Sequence, residues 1–192
     1  MAKVTVNKLQ AARRQLETAL DLYFNEKDPV SIHTLTAAAY NVLRDVNLNT
    51  GGTPMLVKQI HAEQIATITG KKLGEIRSIL NETENFFKHA KDDPTGMLTF
   101  DDGQAEVLLF DAIGKYIEIT QERVPVFGAF HLWFASRHPD NLKPGFVDKA
   151  PPPELVEAAR RMTRRQWLDW MLASLGPDGH TVYRDGGWLV KP

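Results

Sequence analysis

Asn81, Asn85 and His89 follow one another at intervals of four residues, a spacing that lines up two amides and an imidazole along one side of a helix. An imidazole exchanges a proton near neutral pH, and an amide beside it can orient a phosphate or a sugar hydroxyl. The same stripe is also what the solvated face of an amphipathic helix shows, and a histidine near a helix C-terminus suits the macrodipole. Lys88 places a cation next to His89. A second row, His33, Ala37, Tyr40 and Arg44, falls on the side of an earlier helix that points away from Leu35 and Val42. If the two rows faced one cleft, Arg44 would stabilise a phosphate while His33 or His89 moved a proton. In the alternative, His33 and Tyr40 line a helix–helix contact and Arg44 pairs with an acid across the bundle.

Four arginines supply a third candidate. Arg160, Arg161, Arg164 and Arg165 share one side of a helix expected over 154–175, opposite Leu155, Val156, Ala159, Met162, Trp167 and Trp170. Such a cluster can hold phosphates bidentately, as in RNA or a nucleotide. It can equally be an exposed face balanced by Glu154, Glu157 and Asp169, or the docking surface for a protein partner.

The segment Glu84-Asn85-Phe86-Phe87-Lys88-His89 resembles a variant of the signature of the HEPN helical family (higher eukaryote and prokaryote nucleotide-binding domains). That signature is an arginine, a polar residue that is often asparagine, about three further residues and a histidine. Many members are small dimeric bundles of prokaryotic or phage defence and toxin–antitoxin systems, and the active ones are metal-independent ribonucleases. The resemblance covers Asn85 and His89 directly and implies His89 as acid/base, with Asn85 orienting phosphate or ribose. Where the family has its arginine, this chain has Glu84. A carboxylate repels the scissile phosphate, so either catalysis is lost or Arg44 or Lys88 substitutes. Two functions are therefore expected: action on RNA, or a non-catalytic dimeric helical protein with an interaction or regulatory role.

Other chemistries find little support. No Glu-x-x-His pair for a di-iron bundle and no His-Glu-x-x-His occurs, so no metal is expected. Thr69-Gly70-Lys71-Lys72 lacks the earlier glycine and preceding strand of a phosphate loop, and no cofactor is expected. The 192 residues contain no cysteine, which excludes disulfides, thiolate metal sites and cysteine nucleophiles. With 43% hydrophobic and 24% charged residues and a net charge of −1, the chain reads as an ordinary globular protein rather than a general nucleic-acid coat. The start, Met1 to Lys8, lacks the apolar stretch of a secretory signal, and the apolar run Val124 to Ala135 is interrupted by Pro125, Gly128 and His131. A membrane span needs about 20 apolar residues. A cytoplasmic protein that does not enter membranes is expected.

The elements that must position these residues read as helices throughout. The first is expected over Val6 to Asn25, with Leu9, Ala12, Leu16, Ala19, Leu20 and Tyr23 on one face. Asp28-Pro29 is an N-cap followed by proline, opening a second helix to about Val46 that buries Ile32, Leu35, Ala39, Val42, Leu43 and Val46. A loop follows over Asn47 to Thr53, then Thr53-Pro54 opens a short helix to about Ile68. The next helix is expected from Lys72 to Lys91, burying Leu73, Ile76, Ile79, Leu80, Thr83, Phe86, Phe87 and Ala90. Asp92 to Gly103 is a turn-rich loop, and Ala105 to Glu122 is helical again. Phe127, Phe130, Trp133 and Phe134 make Val126 to Arg137 a buried helix; with Trp167, Trp170 and Trp188 they close a second small core or, less simply, offer a platform for stacked bases. A proline-rich linker spans His138 to Pro153. Thr181 to Val190 reads as a short hairpin around Arg184-Asp185-Gly186-Gly187. The expected architecture is all-α: an antiparallel bundle over 1–123 and a helical C-terminal extension over 124–192 packed on the same domain.

Overall fold

Asp28 accepts a hydrogen bond from the Ser31 amide at 2.9 Å, and with Pro29 behind it the second helix starts where the cap-plus-proline signal predicts. The computed structural model describes residues 3–91, 93–139 and 153–174 of the chain. Among them every regular element is helical: α1 (Lys8–Phe24), α2 (Pro29–Thr50), a π-helical turn (Leu56–His61) running into α3 (Ala62–Thr69), α4 (Leu73–Leu80), α5 (Glu82–Lys88), α6 (Gly103–Thr120), α7 (Pro125–Arg137), α8 (Pro153–Arg161) and α9 (Arg164–Ala173). The all-α expectation holds. The expected hairpin around Gly186, Trp188 and most of the proline-rich linker lie outside the described residues. No described helix is long and apolar enough to cross a membrane.

The chain divides into two compact units, one of residues 1–19 and 28–121, the other of residues 20–27 and 122–192. In the first, α2 and α6 pack along each other, and the π-helical turn and α5 close on them. Ile32, Ala39, Tyr40 and Leu43 of α2 and Leu109, Ala112, Ile113 and Tyr116 of α6 are buried. In the second, α7 packs against α8 and α9. Phe127, Phe130, Trp133 and Phe134 are buried there, as the aromatic run of α7 predicts. The Trp133 indole donates to the Tyr23 hydroxyl at 2.9 Å, and the Trp167 indole donates to the Ala129 carbonyl at 2.9 Å. Both polar edges are thus satisfied inside an aromatic core.

The expected boundaries fail at four places. Helix α2 does not stop at Val46. It runs to Thr50 and ends at Gly51, whose φ of 71° is the left-handed conformation that glycine adopts without a Cβ clash. The buried Asn47 sustains that extension by donating to the Thr53 carbonyl at 2.7 Å. Thr53 does not cap the next helix, which begins after the extended Met55.

The single helix expected over 72–91 is two, broken at Asn81 (φ −101°, ψ 0°). After the break Thr83 and Glu84 are buried; Ile79 before it and Ala90 beyond α5, both expected in the core by periodicity, are exposed. The helix expected over 154–175 is also two. Thr163 accepts from the Gln166 amide at 3.2 Å while the Gln166 side chain accepts from the Thr163 amide at 3.0 Å, a reciprocal cap that starts α9 afresh.

Candidate functional site: a buried polar centre in the first unit

Four backbone amides at the start of the π-helical turn have no partner within the helix, and side chains satisfy all of them. Gln59 accepts from the Met55 amide at 2.7 Å. The two Asp111 oxygens accept from Leu56 at 3.1 Å and Val57 at 2.9 Å, and the Tyr40 hydroxyl accepts from Lys58 at 3.1 Å. Tyr40 in turn donates to Asp111 at 2.8 Å. A carboxylate from α6 and a phenol from α2 therefore cap the turn from outside its own sequence, where negative charge suits the helix N-terminus. Burial, then the Asp111 charge, pushes the Tyr40 phenol far above its ordinary range, so it remains a donor.

The turn held in this way delivers Lys58 into the interior. Its ammonium lies 2.5 Å from Glu84 Oε2, and both side chains are buried. The other Glu84 oxygen receives Lys88 at 2.5 Å and the Asn41 amide at 2.5 Å. Lys58 also lies over the Tyr40 ring, 5.3 Å from its centroid. Burial by itself raises the Glu84 carboxyl, but hydrogen bonds and charge from Lys58 and Lys88 outweigh it and hold the carboxyl below its usual range. The asymmetry has a simple cause. Glu84 has two cations and an amide, whereas Lys58 shares one carboxylate and is pulled down by burial, with Arg44 and Lys88 adding like-charge repulsion. A second buried ammonium, Lys115, binds the Thr53 carbonyl at 2.7 Å, the Thr53 hydroxyl at 2.9 Å and Glu118 at 2.6 Å.

The two rows of candidate residues meet only in part. His33 and Tyr40 are buried, so their side of α2 faces the helix contacts rather than an open cleft. The His33 ring meets Phe87 edge-on at 5.6 Å and Phe100 at 6.3 Å, and its buried Nδ1 has no hydrogen-bond partner. Burial lowers the His33 pKa, with the Lys58 charge acting the same way and Glu84 opposing. Arg44 does not cross the bundle to an acid. It binds the adjacent Asp45 at 2.9 Å and the Asn41 oxygen at 3.2 Å. Asn85 and His89 are exposed, and His89 (φ −130°, ψ 120°) already lies beyond the last turn of α5. The stripe Asn81, Asn85, His89 therefore does not exist as one helical face, because the break at Asn81 and the end of α5 interrupt it.

Matching the chain against family models, curated proteins and solved structures returns nothing.

The C-terminal arginines are divided by the break at Thr163. Arg161 pairs with Glu157 at 2.7 Å and Arg165 with Asp169 at 2.8 Å. Arg164 stacks over the Tyr23 ring, 4.0 Å from its centroid, and Arg165 also reaches Asn25 at 3.2 Å. Arg160 is exposed on α8. Three of the four are thus engaged within their own unit. Among the described residues no group of three or more histidines, aspartates and glutamates is placed to hold a metal.

Sequence reasoning missed Lys58, Asn41, Asp111 and Lys115. Asp111 left one legible signal, a lone carboxylate inside the apolar run Val107-Leu108-Leu109-Phe110-Asp111-Ala112-Ile113. A charge so placed is buried only with partners. Nothing in the sequence pointed to those partners, which lie on α2 and the π-helical turn.

Proposed function

We propose that this chain is a non-catalytic helical protein with an interaction or regulatory role, resembling the HEPN family in its helical character but not in its chemistry. The observation that carries this reading is Glu84. At the position of the family's phosphate-binding arginine stands a buried carboxylate already neutralised by Lys58 and Lys88. A cation there would meet phosphate; a carboxylate there holds α5 against α2 and the π-helical turn. The cations offered as substitutes are both committed, Lys88 to Glu84 and Arg44 to Asp45.

A second reading, RNA cleavage by 2′-hydroxyl attack with His89 as acid/base and Asn85 orienting the phosphate, draws on one observation. Both side chains are exposed, Asn85 midway along α5 and His89 just beyond its last residue, where RNA could reach them. Incubation of a mixed, labelled RNA pool with wild-type protein and with His89→Ala in EDTA separates the two. The non-catalytic reading expects no cleavage above buffer by either protein. Cleavage that disappears with His89→Ala would establish the ribonuclease instead.

A further inference from the structure

Three cations of the first unit that the polar centre does not use lie in and just after the turn between α3 and α4: Lys71 and Lys72 in the turn and Arg77 on α4. Ala62–Thr69 and Leu73–Leu80 are helices of eight residues each, packed on one another and joined by the three residues Gly70, Lys71 and Lys72. Gly70 has φ +68°, the left-handed conformation that ends α3 and that glycine adopts without a Cβ clash. A glycine-containing turn of three or four residues between two short helices is the connection used by the helix-turn-helix unit, whose second helix enters the major groove of duplex DNA.

The second helix is dressed for that role. Ile76 is buried and Leu73 and Leu80 are half-buried, all on one side of α4. At 100° per residue the opposite side of α4 carries Gly74, Glu75 and Ser78, all exposed, with Arg77 and Ile79 exposed on its flanks, and Lys71 and Lys72 are exposed in the turn that leads into it. None of Lys71, Lys72 and Arg77 is in an ion pair among the described residues, in contrast to Arg161 and Arg165 of the second unit. Gly74 is the independent observation. A glycine inside a helix costs about 0.5–1 kcal/mol relative to alanine. Yet a Cβ built at Gly74 meets nothing within 4 Å, so packing within the chain does not require it. A bare backbone facing outward on that side is what close approach to an external surface needs.

We propose that α3 and α4 form a helix-turn-helix that binds double-stranded DNA, with α4 in the major groove. Lys71, Lys72 and Arg77 meet backbone phosphates or guanine edges, Ser78 and Glu75 present a hydroxyl and an acceptor to base edges, and Gly74 lets the helix axis come close. This inference does not depend on whether Asn85 and His89 cleave RNA, and it gives the regulatory reading a partner.

The test is fluorescence anisotropy of a short, labelled, mixed-sequence DNA duplex titrated with the full chain at several salt concentrations. Wild type, Lys71→Glu/Lys72→Glu and Gly74→Leu are compared, with unlabelled single-stranded RNA of equal length as competitor. Wild type should bind the duplex with an affinity that falls steeply with salt, and each variant should bind at least about tenfold more weakly. Gly74→Leu should melt no lower than wild type, because its side chain enters open space in a helix, so weaker binding is not a folding defect. No binding by wild type, equal binding by the variants, or displacement by RNA at lower concentration than by duplex DNA would each overturn the proposal.

Discussion

Lys58 Nζ sits 2.5 Å from Glu84 Oε2 with both side chains buried, and the link joins the π-helical turn to α5 in the interior of the first unit. Neither charge could lie there alone. An unpaired buried ion costs several kcal/mol, and such a pair holds only where further hydrogen bonds complete it. Here Asn41 and Lys88 complete the carboxylate, while Tyr40 and Asp111 fix the turn that presents the ammonium.

The first prediction concerns that turn. Asp111→Ala removes the acceptor for two amides and the Tyr40 hydroxyl together, and Tyr40→Phe strips the Lys58 amide of its acceptor. Each unsatisfied buried group costs about 1–3 kcal/mol, so Asp111→Ala should exceed Tyr40→Phe in urea unfolding. Equal, near-zero losses for the two would show that the turn is capped by other means.

A second prediction is pH dependence. His33 has a folded pKa below its unfolded value of roughly 6.5, so the fold favours its neutral form. Its contribution is complete above the unfolded pKa and is lost as pH falls from there toward the folded pKa. Glu84, also lowered, contributes above its unfolded pKa of roughly 4.3 and loses that contribution as pH falls through its folded value. Lys58, Lys88 and Glu84 are the charged groups that act on His33. Wild-type stability should therefore decline in two stages on acidification, and His33→Phe should remove the upper one. An unchanged upper stage in that variant would assign it to another group.

The exposed Asn85 and His89 give a third. Asn85→Ala and His89→Ala should each change stability by less than about 0.5 kcal/mol, because both side chains are exposed and His89 ends α5 through its backbone amide, which alanine keeps. A larger loss in thermal melts would mean that these side chains have structural partners in solution.

In the second unit, Thr163→Ala should cost about 1 kcal/mol through loss of the reciprocal cap with Gln166. Thr163→Asn should retain most of it. If alanine were as stable as threonine, the break between α8 and α9 would owe nothing to that cap.

How much of this was legible follows from the range of each cause. Asp28-Pro29 acts within one turn, and the start of α2 was readable from it. The aromatic run of α7 is buried almost all round, and that too needed only composition. The break at Asn81 was not readable, because Leu73, Ile76, Leu80 and Thr83 continue one apolar period across it and the residue that turns inward is a glutamate. Glu84 goes inside only because Lys58 arrives from a different helix, and no spacing rule reaches across 26 residues. The capping box at Thr163 is written in the sequence as Thr-x-x-Gln, but the apolar residues on either side of it read as one long helix and mask the restart.

The central claim is that the Glu84 centre is structural, and a thermodynamic cycle of Lys58→Met and Glu84→Gln by urea unfolding tests it most directly. Breaking a buried pair from one side costs about 3–5 kcal/mol. Each single variant should be strongly destabilised, and the double variant should be less so than the sum, with a coupling of about 1 kcal/mol or more. Single variants within about 0.5 kcal/mol of wild type, and additive in the double variant, would contradict the account and leave Glu84 free for another role.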